Sequence, residues 1–466
     1  MSGLIHQSCL LFHARRSNLV AANSMRGMRG RPEMRAVVIG LALIASAASA
    51  QEQVAIVGGR VVTNAGAIVD GGTVLLNGGA VVAVNPAGAA VPAGYRQVDA
   101  RGKWVTPGII AGISQIGVAE VHGVDSANDT EADTSAASAA LMLDGAFNPN
   151  ETSIPISRAD GVTSAVIAPK PGRTLYAGQG AIISLAEGQI APTRARAFQY
   201  VAYGETGARL AGGSRPAAWI ELTNGLEEAK RLQVGLMMPM RDQHRDLRIT
   251  RDDAEALTLV LRGAHPLLVR VDRASDIRQI LKLPSLYPGL RLVLVSANEG
   301  WMVANEIARA KVPVITLGMD NLPGSFEALG ATMSNVGRMV AAGVTVALGT
   351  PDLDASFQPR LLPHYAGNLV AQAKLPGAVG LSWEQAFAAI TRAPAEIFGL
   401  GSQGSLQGGA PADVVIWSGD PLELSTHAER VFIRGVEQPL ETRQTKLARR
   451  YLPGQPAGEL PVEYRR

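Results

Sequence analysis

Cysteine is almost missing from this chain of 466 residues: the only one is Cys9. Any body of the protein beyond the first tens of residues therefore has no disulfide, no thiol nucleophile and no Cys-ligated metal. No apolar run is long enough to span a bilayer as a permanent helix. The one candidate, MRAVVIGLALIASAASA (Met34–Ala50), has an Arg, an apolar run from Ala36 to Ala45, and the small residues Ala48-Ser49-Ala50. That order reads as an export signal cleaved before Gln51, which predicts a periplasmic or secreted product without a membrane span. An excess of positive charge is missing too, once this leader is set aside. Residues 1–50 hold six of the 43 basic residues and one of the 40 acidic ones, so the net charge of +3 becomes −2 for the remainder. With the basic surplus confined to the leader, nothing is left for a nucleic-acid surface.

What is present is a change of texture along the chain. From Val54 to Val105, short apolar runs alternate with Gly-Gly and Asn-Gly turns, as in VAIVGGRVV and GTVLLNGGAVVAV, which predicts hairpins. From Pro107 to about Leu400, strands such as GVTSAVIAP (161–169), PLLVRV (266–271), LRLVLVS (290–296), VPVITLG (312–318) and VTVALGT (344–350) alternate with helical stretches. The helical ones include 252–263, 301–310 and 383–400. Repeated strand–helix units with near-continuous Val/Leu/Ile strands predict a parallel sheet buried on both faces, most simply a closed barrel. After Gly404 the β texture returns in ADVVIWSGDP and ERVFIRGVEQPL. The expected class is α/β: a distorted TIM (β/α)8 barrel inserted into a small β-sandwich made from both chain ends. The expected divisions are a leader at 1–50, sandwich strands at 51–106, the barrel at 107–400, more sandwich at 401–448 and a tail at 449–466.

Two stretches break the pattern. Residues 118–160 are polar and long enough to cover a site at the barrel mouth. Residues 171–217 contain GQGAIISL and RLAGGSRP, read as a small β excursion and a Gly-rich loop. Their GQG is taken as a turn, since no Lys-Ser/Thr follows it to hold a phosphate.

The segments VAIVGGRVVTNAG, GGTVLLNGG, VDARGKWVTPGII, TRAPAEIFGL, GSLQGGAPADVVIWSGDPLE and VFIRG together resemble the amidohydrolase superfamily, in its imidazolonepropionase-like branch. The resemblance covers most of the chain after the leader. It implies the barrel-plus-sandwich fold and hydrolysis of amide or cyclic C–N bonds by a metal-bound hydroxide. The chain departs from the ligand pattern that this implies. Two histidines one residue apart would share one face of the first barrel strand; those seats hold Ile113 and Gln115, and Ala111 stands where an aspartate is usual. The fifth-strand position falls in VRVDR with Arg270 and Asp272, the sixth near Ser296 or Asn298, and the last at Asp352, after Gly349-Thr350-Pro351.

Five histidines follow the leader: His122, His244, His265, His364 and His427. Only His122 and His364 are placed to reach a mouth, so a zinc-like divalent metal on these two and Asp352 stays open as an alternative; no cofactor is expected. An inward Arg270 is the more informative residue, because a buried charge needs a partner. Either it fills the vacated cation space, paired with Asp272, Asp352 or Glu120, or its planar fork binds an anionic ligand. Gln115, Ser296 and Asn298 are expected to line the same floor. No Gly-x-Ser-x-Gly elbow and no His-Glu-x-x-His occurs. The expectation is an exported protein whose metal site is dismantled, binding a small ligand of anionic character. The other reading is a C–N bond hydrolase with an unusual site, in which Asp352 and Asp272 act as catalytic groups.

Overall fold

The structure, a computed structural model, describes residues 52–121, 124–235, 249–351 and 358–452. The leader, His122, the Met237–His244 stretch and Asp352 lie outside the described residues.

Among the described residues, sixteen strands fall into two sheets of eight. The barrel sheet contains β6 (Ile109–Ser114), β7 (Val162–Ile167), β8 (Tyr176–Ser184), β9 (Arg194–Ala202), β10 (Leu267–Val271), β11 (Leu292–Ser296), β12 (Val314–Thr316) and β13 (Val346–Leu348), in chain order around the sheet. Alternation along these strands sorts the two faces. Leu268, Val293, Val295, Ile315 and Ala347 point into one inner cluster with Ile113, Phe198 and Tyr200. Leu267, Val269, Val271, Leu292 and Leu294 point outward, into the layer shared with the helices. This is why the strands read as continuous apolar runs: both faces are buried.

The ring is nearly closed where β13 meets β6. The Thr350 N–H donates to the Ile113 carbonyl at 2.7 Å. The seam is narrow enough to need glycine on both sides. A Cβ at Gly112 would lie 2.6 Å from the Leu348 carbonyl oxygen, and one at Gly349 would lie 2.7 Å from the Ile113 nitrogen.

The barrel departs from eight parallel strands in one place. β8 runs antiparallel to both β7 and β9, whereas the other neighbouring pairs within the sheet are parallel. The Gly178-Gln179-Gly180 read as a turn is thus the middle of a barrel strand. Gly180 is there because Phe198 and the Ile167 carbonyl press against its Cα; an added Cβ would fall 2.0 and 2.5 Å from them. The Gly-rich stretch is a short turn over residues 211–214, between the helices Gly204–Leu210 and Arg215–Gly235. No helix among the described residues is long and apolar enough to cross a membrane.

The second sheet joins β1 (Val54–Val61), β2 (Val69–Asn77), β3 (Ala80–Asn85), β4 (Arg96–Asp99) and β5 (Trp104–Pro107) to β14 (Val414–Trp417), β15 (Ala428–Ile433) and β16 (Val436–Glu437). The chain ends meet where β5 pairs antiparallel with β14. The expected sandwich therefore takes the form of one eight-stranded sheet, with Val54, Ile56, Leu76, Val105, Val414 and Phe432 in its core. It meets the barrel at the N-terminal end of β7. A Cβ on Gly161, just before that strand, would strike the Trp417 ring at 2.3 Å. The opposite rim is left for function.

Candidate functional site

The C-terminal ends of the barrel strands surround a cavity of about 340 Å³. Ile113, Ser114 and Gln115 enter it from β6, and Ala168, Pro169, Lys170 and Pro171 from the end of β7. Tyr200 and Ala202 come from β9, Arg270 from β10, and Thr350-Pro351 from the end of β13. Thr206 and, from the long polar loop, Glu131 complete the wall. That loop is held against the barrel by the Lys170 N–H, which donates to the Thr130 carbonyl at 2.8 Å.

Arg270 is inward because it shares its face with Leu268 of the inner cluster, two residues earlier. Its Nη1 donates to the Pro351 carbonyl at 3.3 Å. Lys170 stands between two prolines, Pro169 and Pro171, whose fixed φ and influence on the preceding residue limit the backbone there. Burial pushes the Lys170 ammonium down from its ordinary value; Glu131 opposes this and the Arg270 charge adds to it. Two cationic side chains thus occupy one mouth, with the Gln115 amide, the Tyr200 and Thr350 hydroxyls and one carboxylate, Glu131.

The expected site residues separate on folding. Gln115 and Arg270 line the cavity; Glu120, Asp272, Ser296 and Asn298 are not among its lining residues. Ser296 follows the outward parity of Leu292 and Leu294, and its buried hydroxyl has no hydrogen-bond partner. Asp272 accepts from the Asn298 N–H at 3.2 Å. Glu120 accepts from the Asn148 amide. His364 sits beside Asp160, whose residue precedes β7 and so belongs to the rim away from the cavity. His265 precedes β10, and burial, aided by Arg196, pushes its imidazole down. His427 bonds to Ser418 in the second sheet.

The residues that sequence reasoning missed are Lys170, Tyr200, Glu131 and Thr206. Lys170 stood one residue past a recognised strand, and Tyr200 lies on β9, whose RARAFQYVA was not read as a strand. A search for the first polar residue after each barrel strand would have found Lys170.

The remaining carboxylates near this rim tie loops together. Glu299 accepts from the Ala274 and Gly330 N–H groups at 2.9 and 3.0 Å. Arg215 donates to Asp276 at 2.6 Å and to Glu327 at 3.3 Å, and Glu327 also accepts from the Glu205 N–H at 2.6 Å. Burial pushes the Glu327 carboxyl up to about 7, and the longer contact with Arg215 does not offset this. A folded value above the unfolded one means that this group's stabilisation is complete below about 4.5 and is lost as pH rises through about 7. Glu327→Gln keeps an acceptor for Glu205 but cannot ionise. Its melting temperature, relative to the unsubstituted protein, is expected to rise by several degrees between about pH 5 and pH 8. An unchanged difference across that range would mean that Glu327 is charged throughout.

The donor set was tested against the divalent metal that the family resemblance implies. No group of three His, Cys, Asp or Glu converges among the described residues. The first-strand seats are an apolar Ile113 and a neutral amide, and two cations share the same cavity. Cations raise the energy of a nearby M²⁺ and supply no lone pair to it. The described residues do not fit the metal.

Residues 251–437 match the family model described as Amidohydrolase family. An amidohydrolase crystal structure from Thermotoga maritima superposes with a TM-score of 0.73 at 24% identity, covering 82% of this chain and 99% of that one. A molinate hydrolase structure gives a TM-score of 0.50 at 18% identity, covering 84% and 95%. Both show a shared fold. Among curated sequences, Amidohydrolase tasK of Hapsidospora irregularis is 25% identical over 376 residues, or 73% of this chain. The match spans 37% of that longer protein. Residues 251–437 are thus similar to an amidohydrolase family, and the fold is the one seen in these solved structures.

Proposed function

We propose that this is an exported binding protein on an amidohydrolase fold, a pseudo-enzyme that takes a small carboxylate at the barrel mouth. The reading rests on one observation: Arg270 and Lys170 line a single cavity of about 340 Å³, a volume suited to a small organic molecule. A guanidinium presents a planar pair of donors to a carboxylate, and an ammonium adds a point charge. Gln115, Tyr200 and Thr350 supply neutral hydrogen-bonding groups for the rest of the ligand. The mature chain would begin at Gln51, and N-terminal sequencing of protein recovered from the envelope fraction tests that start.

The match of residues 251–437 to an amidohydrolase family favours a second reading, a hydrolase of C–N bonds. In it Gln115, Arg270, Asp272 and Asp352 would serve the reaction. One experiment separates the two. Purified mature protein is assayed for bound metal and screened for thermal stabilisation by acetate, lactate and succinate. The binding reading expects metal well below one equivalent and a rise in melting temperature with at least one carboxylate. Hydrolysis of an imide, lactam or dipeptide panel that survives chelator and falls on Arg270→Ala or Asp352→Ala would establish the second reading instead, and stoichiometric zinc, manganese or iron lost with chelator would overturn the dismantled-site reading.

A further inference from the structure

We propose that Lys170 captures a small oxo acid as an imine inside the barrel-mouth cavity, with the acid's carboxylate held by Arg270. This rests on the reading of the cavity as a carboxylate site and adds a covalent step to it.

Several cations around the barrel are tied to partners, and Lys170 is not. Arg215 is tied to Asp276 and Glu327, Arg173 to the Ala136 carbonyl, and Arg158 to the Leu185 carbonyl. Among the described residues the Lys170 side chain makes no ion pair within 4.0 Å and no hydrogen bond, although it is only partly exposed. A half-buried ammonium without a partner costs free energy that folding does not return. Its position is also well defined, because the flanking prolines and the bond to Thr130 fix its backbone while the side chain lines the cavity.

The surroundings suit amine chemistry. Desolvation and a neighbouring cation are the two ways to keep a lysine amine neutral and nucleophilic near neutral pH. Lys170 has both, and the shift is downward even with Glu131 nearby. Arg270 in the same wall gives a reason for the substrate class, since it would hold a carboxylate while the amine meets an adjacent carbonyl.

The chemistry balances without an oxidant or a metal. The lone pair on Lys170 Nζ forms a C–N bond to the carbonyl carbon, and the C=O π pair moves to oxygen, which takes up a proton. The carbinolamine nitrogen loses a proton, the hydroxyl leaves as water after protonation, and the C=N bond forms. Amine plus carbonyl gives imine plus water, and hydration reverses it. The Tyr200 and Thr350 hydroxyls and the Glu131 carboxylate are the proton-carrying groups in the cavity wall.

The experiment uses the mature protein with pyruvate and sodium cyanoborohydride, which reduces an imine to a stable secondary amine. Lactate, which has the carboxylate but no carbonyl, is the matched control. Adducts are located by peptide mass mapping, and thermal shifts are recorded with both acids. The expected result is one reduced pyruvate at Lys170, formed at least about tenfold faster than at Lys103, Lys230 or Lys282, because the desolvated amine in the cavity is neutral more of the time and its carbonyl partner is held beside it. Lys170→Arg should lose the adduct while still showing the lactate shift. Failure to form an adduct, or equal labelling of all lysines, with both acids still stabilising the protein, would overturn the imine and leave the carboxylate site standing. Absence of a shift with either acid, together with no adduct, would overturn both.

Discussion

Gly349→Val is expected to leave little or no cooperatively folded protein. Gly349 lies at the seam where the barrel closes, and its added Cβ would sit 2.6 Å from Ile113 Cγ2 and 2.7 Å from the Ile113 nitrogen. A flexible side-chain tip could move away, but a backbone nitrogen in β6 cannot without breaking the Thr350-to-Ile113 hydrogen bond beside it. Overpacking of this kind costs about 3 kcal/mol even where side chains can adjust. Here a β-branched residue meets main chain on a total stability of about 5–15 kcal/mol. Gly145→Ala is the control, because nothing lies within 4 Å of its added Cβ. Circular dichroism melts of the two variants decide the matter. A Gly349→Val protein melting within a few degrees of the unsubstituted chain would show that the seam is open.

The second large effect concerns binding. Arg270→Gln is expected to weaken a small carboxylate by about 30- to 100-fold, the range that corresponds to losing a charge-assisted hydrogen bond of about 2–3 kcal/mol. The side chain faces a cavity, and its neighbour in that wall is another cation, so removing one charge leaves only Lys170 to meet the ligand. Arg270 also donates through Nη1 to the Pro351 carbonyl at 3.3 Å, so melts of Arg270→Gln recorded beside the titration separate a lost ligand contact from a lost structural one. Titration calorimetry against the carboxylate found in the thermal screen gives the ratio. Glu327→Gln, outside the cavity, should bind as the unsubstituted protein does. If the two variants bind alike, Arg270 does not hold the ligand.

Much of this was readable before any coordinates. The Val/Leu/Ile runs at 161–169, 266–271, 290–296, 312–318 and 344–350 each contain an observed strand, β7 and β10 to β13. The family resemblance set Arg270 at a ligand position, and in the structure it lines the cavity. Ser296, set at the next position in the same way, is not among the lining residues, because lining depends on which parity of each strand faces inward. On β11 that parity belongs to Val293 and Val295, so the serine points the other way. Local pattern gives a period, and neighbouring strands set its phase. Asn298, the alternative that the resemblance offered for that position, is also absent from the lining; its N–H donates to Asp272.

Composition and periodicity by themselves determined the class: an α/β chain with buried strands and a β texture at both ends. Those properties are additive along the chain and need no long-range geometry to read. Tertiary structure alone decided that β8 runs antiparallel inside the barrel. It also brought Glu131, Lys170, Tyr200, Arg270 and Thr350, spread over 220 residues of sequence, to one cavity. Pairing direction and convergence depend on which distant backbones can pack together, and the close approaches at Gly180, Gly112 and Gly349 settle that only when the ring is formed.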